Sequence, residues 1–281
     1  MKVIRVTRAD ASMKDAVTAL WKATFGDSTE WIESFLSAAS LERTCFAALS
    51  GKNLAGMLFS LPAVLTVNGE AKESRYIYAV ATDPEFRNQG VMTALERFAC
   101  EEAAKEGAFY AALVPAAFPL FSMYQKLGYR TAFHEYTARA PMQLDPQAKL
   151  SHCSPEFFFA ERRRLLSERS VSFELYPNMQ EFRCWDLVKS GKLVRARTAD
   201  AVGYVVFEKR EDTLVILETS LPDRALSHAA GTLCEEQHCS TVTVKGKTGT
   251  AAPFGMIKPL FKEKSRNLPI KIDGYMGLML N

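Results

Sequence analysis

The chain is poor in the features that most readily mark a function. It has 281 residues but only 4 histidines. Its 6 cysteines, at 45, 100, 153, 184, 234 and 239, include no Cys-x-x-Cys pair. That excludes the common zinc-ribbon and thioredoxin-like spacings and gives no disulfide framework. The thiols read as reduced and mostly buried, as in a cytoplasmic protein. His228, Cys234, His238 and Cys239 stand close together but in no standard zinc spacing, so no metal is expected. No apolar run approaches the length of a membrane span, and Met1-Lys2-Val3-Ile4-Arg5 does not read as a secretion signal. Charge of one sign is also scarce. The net charge is +3, too small to argue for nucleic acid. The densest basic run, Arg162-Arg163-Arg164, is flanked by Glu161 and Glu168 and reads as a solvated helix face.

What is present has the composition of an ordinary globular protein. Hydrophobic residues make up 48% and charged residues 24%, and the length suits two domains better than one. Periodicity places a strand at 2–8. A helix follows at 10–25, with Ser12 and Asp15 as a capping box and Gly26 as its stop. A second helix spans 29–39. Strands follow at 44–49, 54–60, 63–67 and 72–82, with Asn68-Gly69 as a tight turn.

The stretch from Tyr76 to Gly107 is the most informative. Tyr76-Ile77-Tyr78-Ala79-Val80-Ala81-Thr82 is aromatic and β-branched and reads as a strand. Asp83-Pro84 ends it, because proline cannot donate to a ladder. A loop runs from Glu85 to Gly90. Then the period changes, with Val91, Leu95, Phe98 and Ala99 or Cys100 sharing a helical face. The first N–H groups of a helix have no partner within it, and the helix dipole favours anions there. Arg87 adds a positive charge, and Gly90 allows the backbone to be approached closely. Together these predict a pyrophosphate cradle. Further on, strands at 109–114 and 129–140 flank a helix at 119–127.

Arg87-Asn88-Gln89-Gly90-Val91-Met92, with the lead-in Val80-Ala81-Thr82-Asp83-Pro84-Glu85-Phe86, resembles the Arg/Gln-x-x-Gly-x-Gly/Ala signature of the GCN5-related N-acetyltransferases (GNAT). Met92 departs from it, standing where glycine or alanine is commonest. The resemblance implies acetyl-coenzyme A as a substrate. Main-chain groups of Val80, Ala81 and Thr82 would meet its pantetheine arm. Arg87, Asn88, Gln89, Gly90, Val91, Met92 and Thr93 would hold its pyrophosphate. The segment Tyr124-Gln125-Lys126-Leu127-Gly128-Tyr129 is similar to the family's Tyr-x-x-x-Gly-Phe/Tyr, so Tyr124 is the implied catalytic acid at the coenzyme A sulfur. The base is open: the strand entering the loop offers Tyr76 and Tyr78, with Glu73 further back. In the enhanced-intracellular-survival branch the chain's terminal carboxylate is placed at the active site; Asn281 offers one by analogy, although the domain that bears that terminus in the branch is missing here.

The second half repeats the order of the first. Pro141 to Pro146 reads as a linker. Helices are expected at 154–169 and 178–190, strands at 193–199, 201–209 and 213–220, a helix at 222–236 and a strand at 241–245. A short helix at 254–261 and a strand at 274–280 complete the chain. Leu221-Pro222-Asp223-Arg224-Ala225 has no Arg-x-x-Gly, so this copy has no cofactor loop. Tandem GNAT-like units resemble the enhanced-intracellular-survival branch, whose further sterol-carrier-like domain has no room here.

The expectation is therefore an α+β fold, a mixed and mostly antiparallel sheet with flanking helices in two tandem GNAT-like units. Residues 1–145 form the acetyl-CoA-binding catalytic unit. Residues 146–281 form a degenerate unit that helps shape the acceptor site. The acceptor is a small-molecule or peptide amine, with no nucleic acid or membrane partner; the oligomeric state is open. The alternative is a catalytically degenerate CoA-binding or regulatory module.

Overall fold

The computed structural model describes residues 3–246, 248–261 and 274–280. In chain order it contains β1 (Arg5–Arg8), a 3-10 turn (Ala11–Met13), α1 (Lys14–Phe25), α2 (Thr29–Ala39), α3 (Leu41–Thr44), β2 (Cys45–Ser50), β3 (Asn53–Val67) and β4 (Glu70–Thr82). A second 3-10 turn (Pro84–Phe86) leads to α4 (Val91–Lys105), β5 (Tyr110–Leu113), α5 (Phe118–Lys126) and β6 (Arg130–Arg139). Then come β7 (Lys149–His152), α6 (Pro155–Ser167), β8 (Val171–Leu175), α7 (Pro177–Lys189), β9 (Leu193–Arg197), β10 (Val202–Arg210) and β11 (Thr213–Thr219). The last are α8 (Asp223–Gln237), β12 (Thr241–Gly246) and β13 (Thr250–Pro259). This is the expected α+β architecture, a mixed, mostly antiparallel sheet with helices against its faces.

Local chemistry accounts for most element ends. Asp10, not Ser12, opens the first helical segment: its Oδ1 accepts the Ser12 N–H at 2.9 Å. A carboxylate two residues ahead of that N–H reaches it without competing with the helix that follows. Ser28 and Ser154 cap α2 and α6 through the N–H groups of Trp31 and Phe157. Strand β3 does not break at Pro62. It pairs with β2 over its first half and with β8 over its second. Pro62 stands at the handover, where no ladder donor is needed.

The sheet order is β1-β2-β3-β4-β5-β13-β6-β12-β11-β10-β9-β7, with β8 added to β3. The strands of the two halves interleave. β13 lies between β5 and β6, antiparallel to both, while β6 also pairs with β12. Each half thus lends its last strand to the other. This corrects the expected helix at 254–261. Met256 and Ile257 are fully buried on the two faces of a strand paired on both edges. Gly255 permits the local irregularity, since a Cβ there would meet the Met276 sulfur at 2.4 Å. Nor do residues 274–280 form a strand. Tyr275 makes one bridge to Ser172, and Met276, Met279 and Leu280 then insert into the core between β4 and β8. Their burial follows neither strand face, so packing overrides the period.

One further correction concerns a polar group. Arg162 is not on a solvated face. It is 6% exposed, and its Nε donates to Glu218 Oε1 at 3.1 Å. Glu96 of α4 is 2% exposed and paired with Lys258 of β13 at 2.8 Å, which ties the exchanged strand to the helix it covers.

The buried thiols and phenols give the molecule an alkaline weakness. Burial pushes the Cys100 thiol up to about 12 and that of Cys184 to about 11, from an ordinary 9.0. The phenols of Tyr76, Tyr129 and Tyr204 are also raised, chiefly by burial. Above pH 9 the unfolded chain loses these protons and the folded chain keeps them, so stability falls with rising pH. Denaturant midpoints should be level from pH 7 to 8.5 and drop steeply between pH 9 and 11. A flat profile to pH 11 would refute this.

Candidate functional site

Strand β4 pairs in parallel with β5 only from Ser74 to Tyr76, against Tyr110 to Ala112. It then runs on to Thr82 with no β5 partner. A bulge helps to part the two strands. Tyr78 faces Phe59 and Ala81 faces Met57, which leaves one extra residue on β4, and Ala79 takes the left-handed φ of 48°. Bulges bend the strand that carries them. The result is a cleft whose β4 wall, at Val80, Ala81 and Thr82, has no paired strand on the β5 side among the described residues.

Where β4 ends, the chain turns tightly. Asp83 caps the 3-10 turn through the Glu85 N–H at 2.9 Å, and Phe86 is buried as its anchor. Asn88 and Gly90 both have positive φ, 60° and 78°. Gly90 is the N-cap of α4 with no side-chain cap, and the Ala94 N–H is the one that bonds back to its carbonyl. The N–H groups of Val91, Met92 and Thr93 therefore have no acceptor within the helix. A Cβ on Gly90 would meet nothing within 4 Å. Glycine is required there by the backbone angle, and the space in front of the helix is open. Arg87 is exposed. Its Nε reaches the Thr82 carbonyl at 3.4 Å, and no described ion pair joins it to Glu85.

No motif marks Gly56. On β3 it lies under the start of α4, where a Cβ would sit 2.8 Å from both the Ala81 carbonyl oxygen and a Val91 methyl. It lets the helix sit directly against the strands. Gly56→Val should push α4 away from the strands, with a loss of about 1–3 kcal/mol in stability, as for other overpacked cores. A denaturation midpoint equal to that of wild type would show that the helix can shift at no cost.

Tyr124 lies on α5 in the cluster that holds Phe86, Val91 and Leu95. Its ring meets Tyr129 edge-on at 5.7 Å. Burial first, and then the Glu96 carboxylate, push its phenol up to about 12. It lies near enough to Tyr76 to help raise that phenol too, after burial and Tyr78. The Tyr76 hydroxyl donates to the Leu280 carbonyl at 3.1 Å. Asn281 itself lies outside the described residues. Glu73 is removed from the site, because its carboxylate accepts from the Tyr176 hydroxyl at 2.5 Å near the far end of β4.

On the other side of β4 the wall comes from both halves of the chain. The Trp21 indole donates to Asp27 at 2.8 Å and the Trp31 indole to Asp186 at 2.9 Å. Arg183 pairs with Asp186 at 2.7 Å. The Tyr78 phenol is raised by burial and then by Asp27, with Asp186 adding to the rise and Arg183 opposing it. No local motif announces Asp186, which is 155 positions from the tryptophan it orients.

The cysteine–histidine group of α8 forms nothing comparable. His228 bonds Gln143 at 3.1 Å and lies near Asp145 and Asp200. Among the described residues no group of three or more His, Cys, Asp or Glu is placed to hold a metal. Nor is any described helix long and apolar enough to cross a membrane.

The geometry of the cleft is thus a splayed pair of parallel strands, a bulged β4 and an uncapped helix after it. Residues 5–132 match the family model described as acetyltransferase (GNAT) domain, and that segment is a GNAT domain. The structure of a GCN5-related N-acetyltransferase from Kribbella flavida superposes with a TM-score of 0.69 at 17% identity, covering 92% of this chain and 72% of that one. Eis1 from Mycobacterium abscessus gives 0.66 at 18% identity, over 92% and 74%. N-myristoyltransferase from Saccharomyces cerevisiae, solved with bound myristoylCoA, gives 0.56 at 10% identity, over 92% and 82%. At these identities the likeness is one of fold. No curated protein matches the chain by sequence.

Proposed function

We propose that the protein is an N-acetyltransferase that moves an acetyl group from acetyl-CoA directly to a primary amine. The observation that carries this reading is the continuity of the cleft. The unpaired edge of β4 at Val80, Ala81 and Thr82 leads straight to the open start of α4. The β4 edge would hydrogen-bond the pantetheine amides. The N–H groups at 88–93, with Arg87, would hold the pyrophosphate through charge-assisted bonds.

Acetyl-CoA supplies an activated thioester. The amine nitrogen bonds to its carbonyl carbon, the C–S bond breaks, and the proton shed by the nitrogen balances the departing thiolate. Tyr124 is the group assigned to that proton. A phenol near 12 is a weak donor to a thiolate of ordinary pKa ~8.5. Tyr124 therefore hydrogen-bonds the leaving sulfur and passes a proton on as it receives one. No covalent enzyme intermediate is required, since positioning supplies most of what direct attack needs.

Residues 146–281 are proposed as a second GNAT-like unit that walls the acceptor side. Its strands support this. β11 and β12 are parallel, and the pairing of β10 with β11 shifts register at Val206/Phe207, as that of β3 with β4 does between Met57 and Phe59. Its helix α8 starts after Pro222 without a glycine loop, and the linker lies on it so closely that a Cβ on Gly231 would meet the Gln143 oxygen at 2.4 Å. Six free cysteines fit the cytoplasmic location that is part of this reading.

One observation favours the alternative, a CoA-binding module without turnover. The β4 side chains toward the acceptor are phenols, Tyr76 and Tyr78, both raised and neither a carboxylate base. Calorimetric titration with acetyl-CoA, followed by thiol release across an amine panel, separates the readings. Binding with release establishes the enzyme. Binding without release on any amine establishes the module. No binding removes both.

A further inference from the structure

Phe118 is 77% exposed. It belongs to the segment Ala116-Ala117-Phe118-Pro119, all four exposed and none with a polar side chain. Single exposed hydrophobics are common and need no explanation. The place of this run in the topology makes it unusual. β4 and β5 are parallel, so the helices that follow them, α4 and α5, begin at the same edge of the sheet. The two strands part toward that edge. A ligand rooted in the cleft therefore leaves it between the starts of the two helices. One start is the open anion site at Gly90. The other is Phe118, the first residue of α5.

The ring is held in place from behind. Pro119 fixes the backbone of the first turn. The Phe121 ring lies 5.9 Å away at 39°, and Phe121 packs against the cluster that contains Phe86 and Val91. This gives a preorganised aromatic face beside the phosphate site. In coenzyme A the group joined to the pyrophosphate, on the side away from the pantetheine, is 3′-phosphoadenosine. We propose that Phe118 is the stacking platform for the adenine of acetyl-CoA, a binding residue for the nucleotide end of the cofactor. This rests on the cofactor assignment made above. Bases stack on aromatic side chains without needing hydrogen-bond partners, which matches a run with no polar side chains.

The test is calorimetric titration of the full chain as wild type, Phe118→Ala and Phe118→Trp, each with acetyl-CoA and with S-acetylpantetheine, which lacks the nucleotide. Phe118→Ala should weaken acetyl-CoA binding about tenfold, the size of one base–aromatic contact. Phe118→Trp should keep the affinity, and S-acetylpantetheine should bind all three proteins alike. Equal acetyl-CoA affinity in wild type and Phe118→Ala overturns the stacking role and leaves the acyltransferase reading intact. A parallel loss with both ligands also overturns it, because the change would then lie at the pantetheine end. A wild-type protein that binds neither ligand overturns both proposals.

Discussion

Tyr124→Phe is expected to lower kcat by about 10²-fold, the low end for loss of a proton-transferring group, with the acetyl-CoA dissociation constant changed less than twofold. The low end follows from the site. In the proposed mechanism a phenol held at about 12 by burial and by Glu96 would relay a proton and not supply one outright. The variant should fold normally, because no described hydrogen bond depends on its hydroxyl and the Tyr129 contact is made by its ring. Steady-state kinetics with calorimetry on the same preparation decide the matter. A kcat within threefold of wild type removes Tyr124 from the chemistry. A proportional loss of affinity and rate would place it in binding instead.

Arg162→Met should have the largest effect on stability, a loss of about 3–5 kcal/mol, as for other buried ion pairs broken from one side. Glu218 is 3% exposed and would keep only the Tyr204 hydroxyl, at 2.7 Å. Its other oxygen already lacks a described partner. A buried charge left unpaired costs more than the pair returned. The double variant Arg162→Met with Glu218→Leu should recover most of the loss. Chemical denaturation of the single and double variants measures both. A single variant within 1 kcal/mol of wild type would show that water reaches Glu218. The position of this pair gives the experiment a second use. It joins α6 to β11 within the second half, so its loss should leave the proposed acetyl-CoA site of β4 and α4 intact below the melting transition.

Much of the first half was legible from the chain because its signals are local. A strand that ends at Asp83-Pro84, a loop that needs a positive φ at Gly90 and a helix that begins at Val91 are set by neighbours in sequence. The bounds of α2 and the αL stop at Gly26 follow from the same local chemistry. A motif singles out Tyr124 as a candidate, and its surroundings in the fold raise the phenol in a way that no motif contains. The misreadings share one cause. Arg162 looked solvated because its partner Glu218 is 56 residues away. Residues 254–261 looked helical because the strands that pair with β13 on both edges belong to the other half. The acidic and aromatic wall at Trp31 and Asp186 could not be read, because α2 and α7 meet only in the folded chain.

The sequence by itself determined the secondary structure around the loop from Glu85 to Gly90 and the fact that only one half carries the Arg-x-x-Gly pattern. Backbone angles and helix termini are decided within a few residues, so the code for them is short. The tertiary structure alone decided the exchange of β6 and β13 and the burial of Arg162 and Glu96. It also set the bulge that opens β4 from β5 and the meeting of both halves around Tyr78. Those outcomes depend on which distant surfaces exclude water together, and burial of that kind is a property of the whole chain.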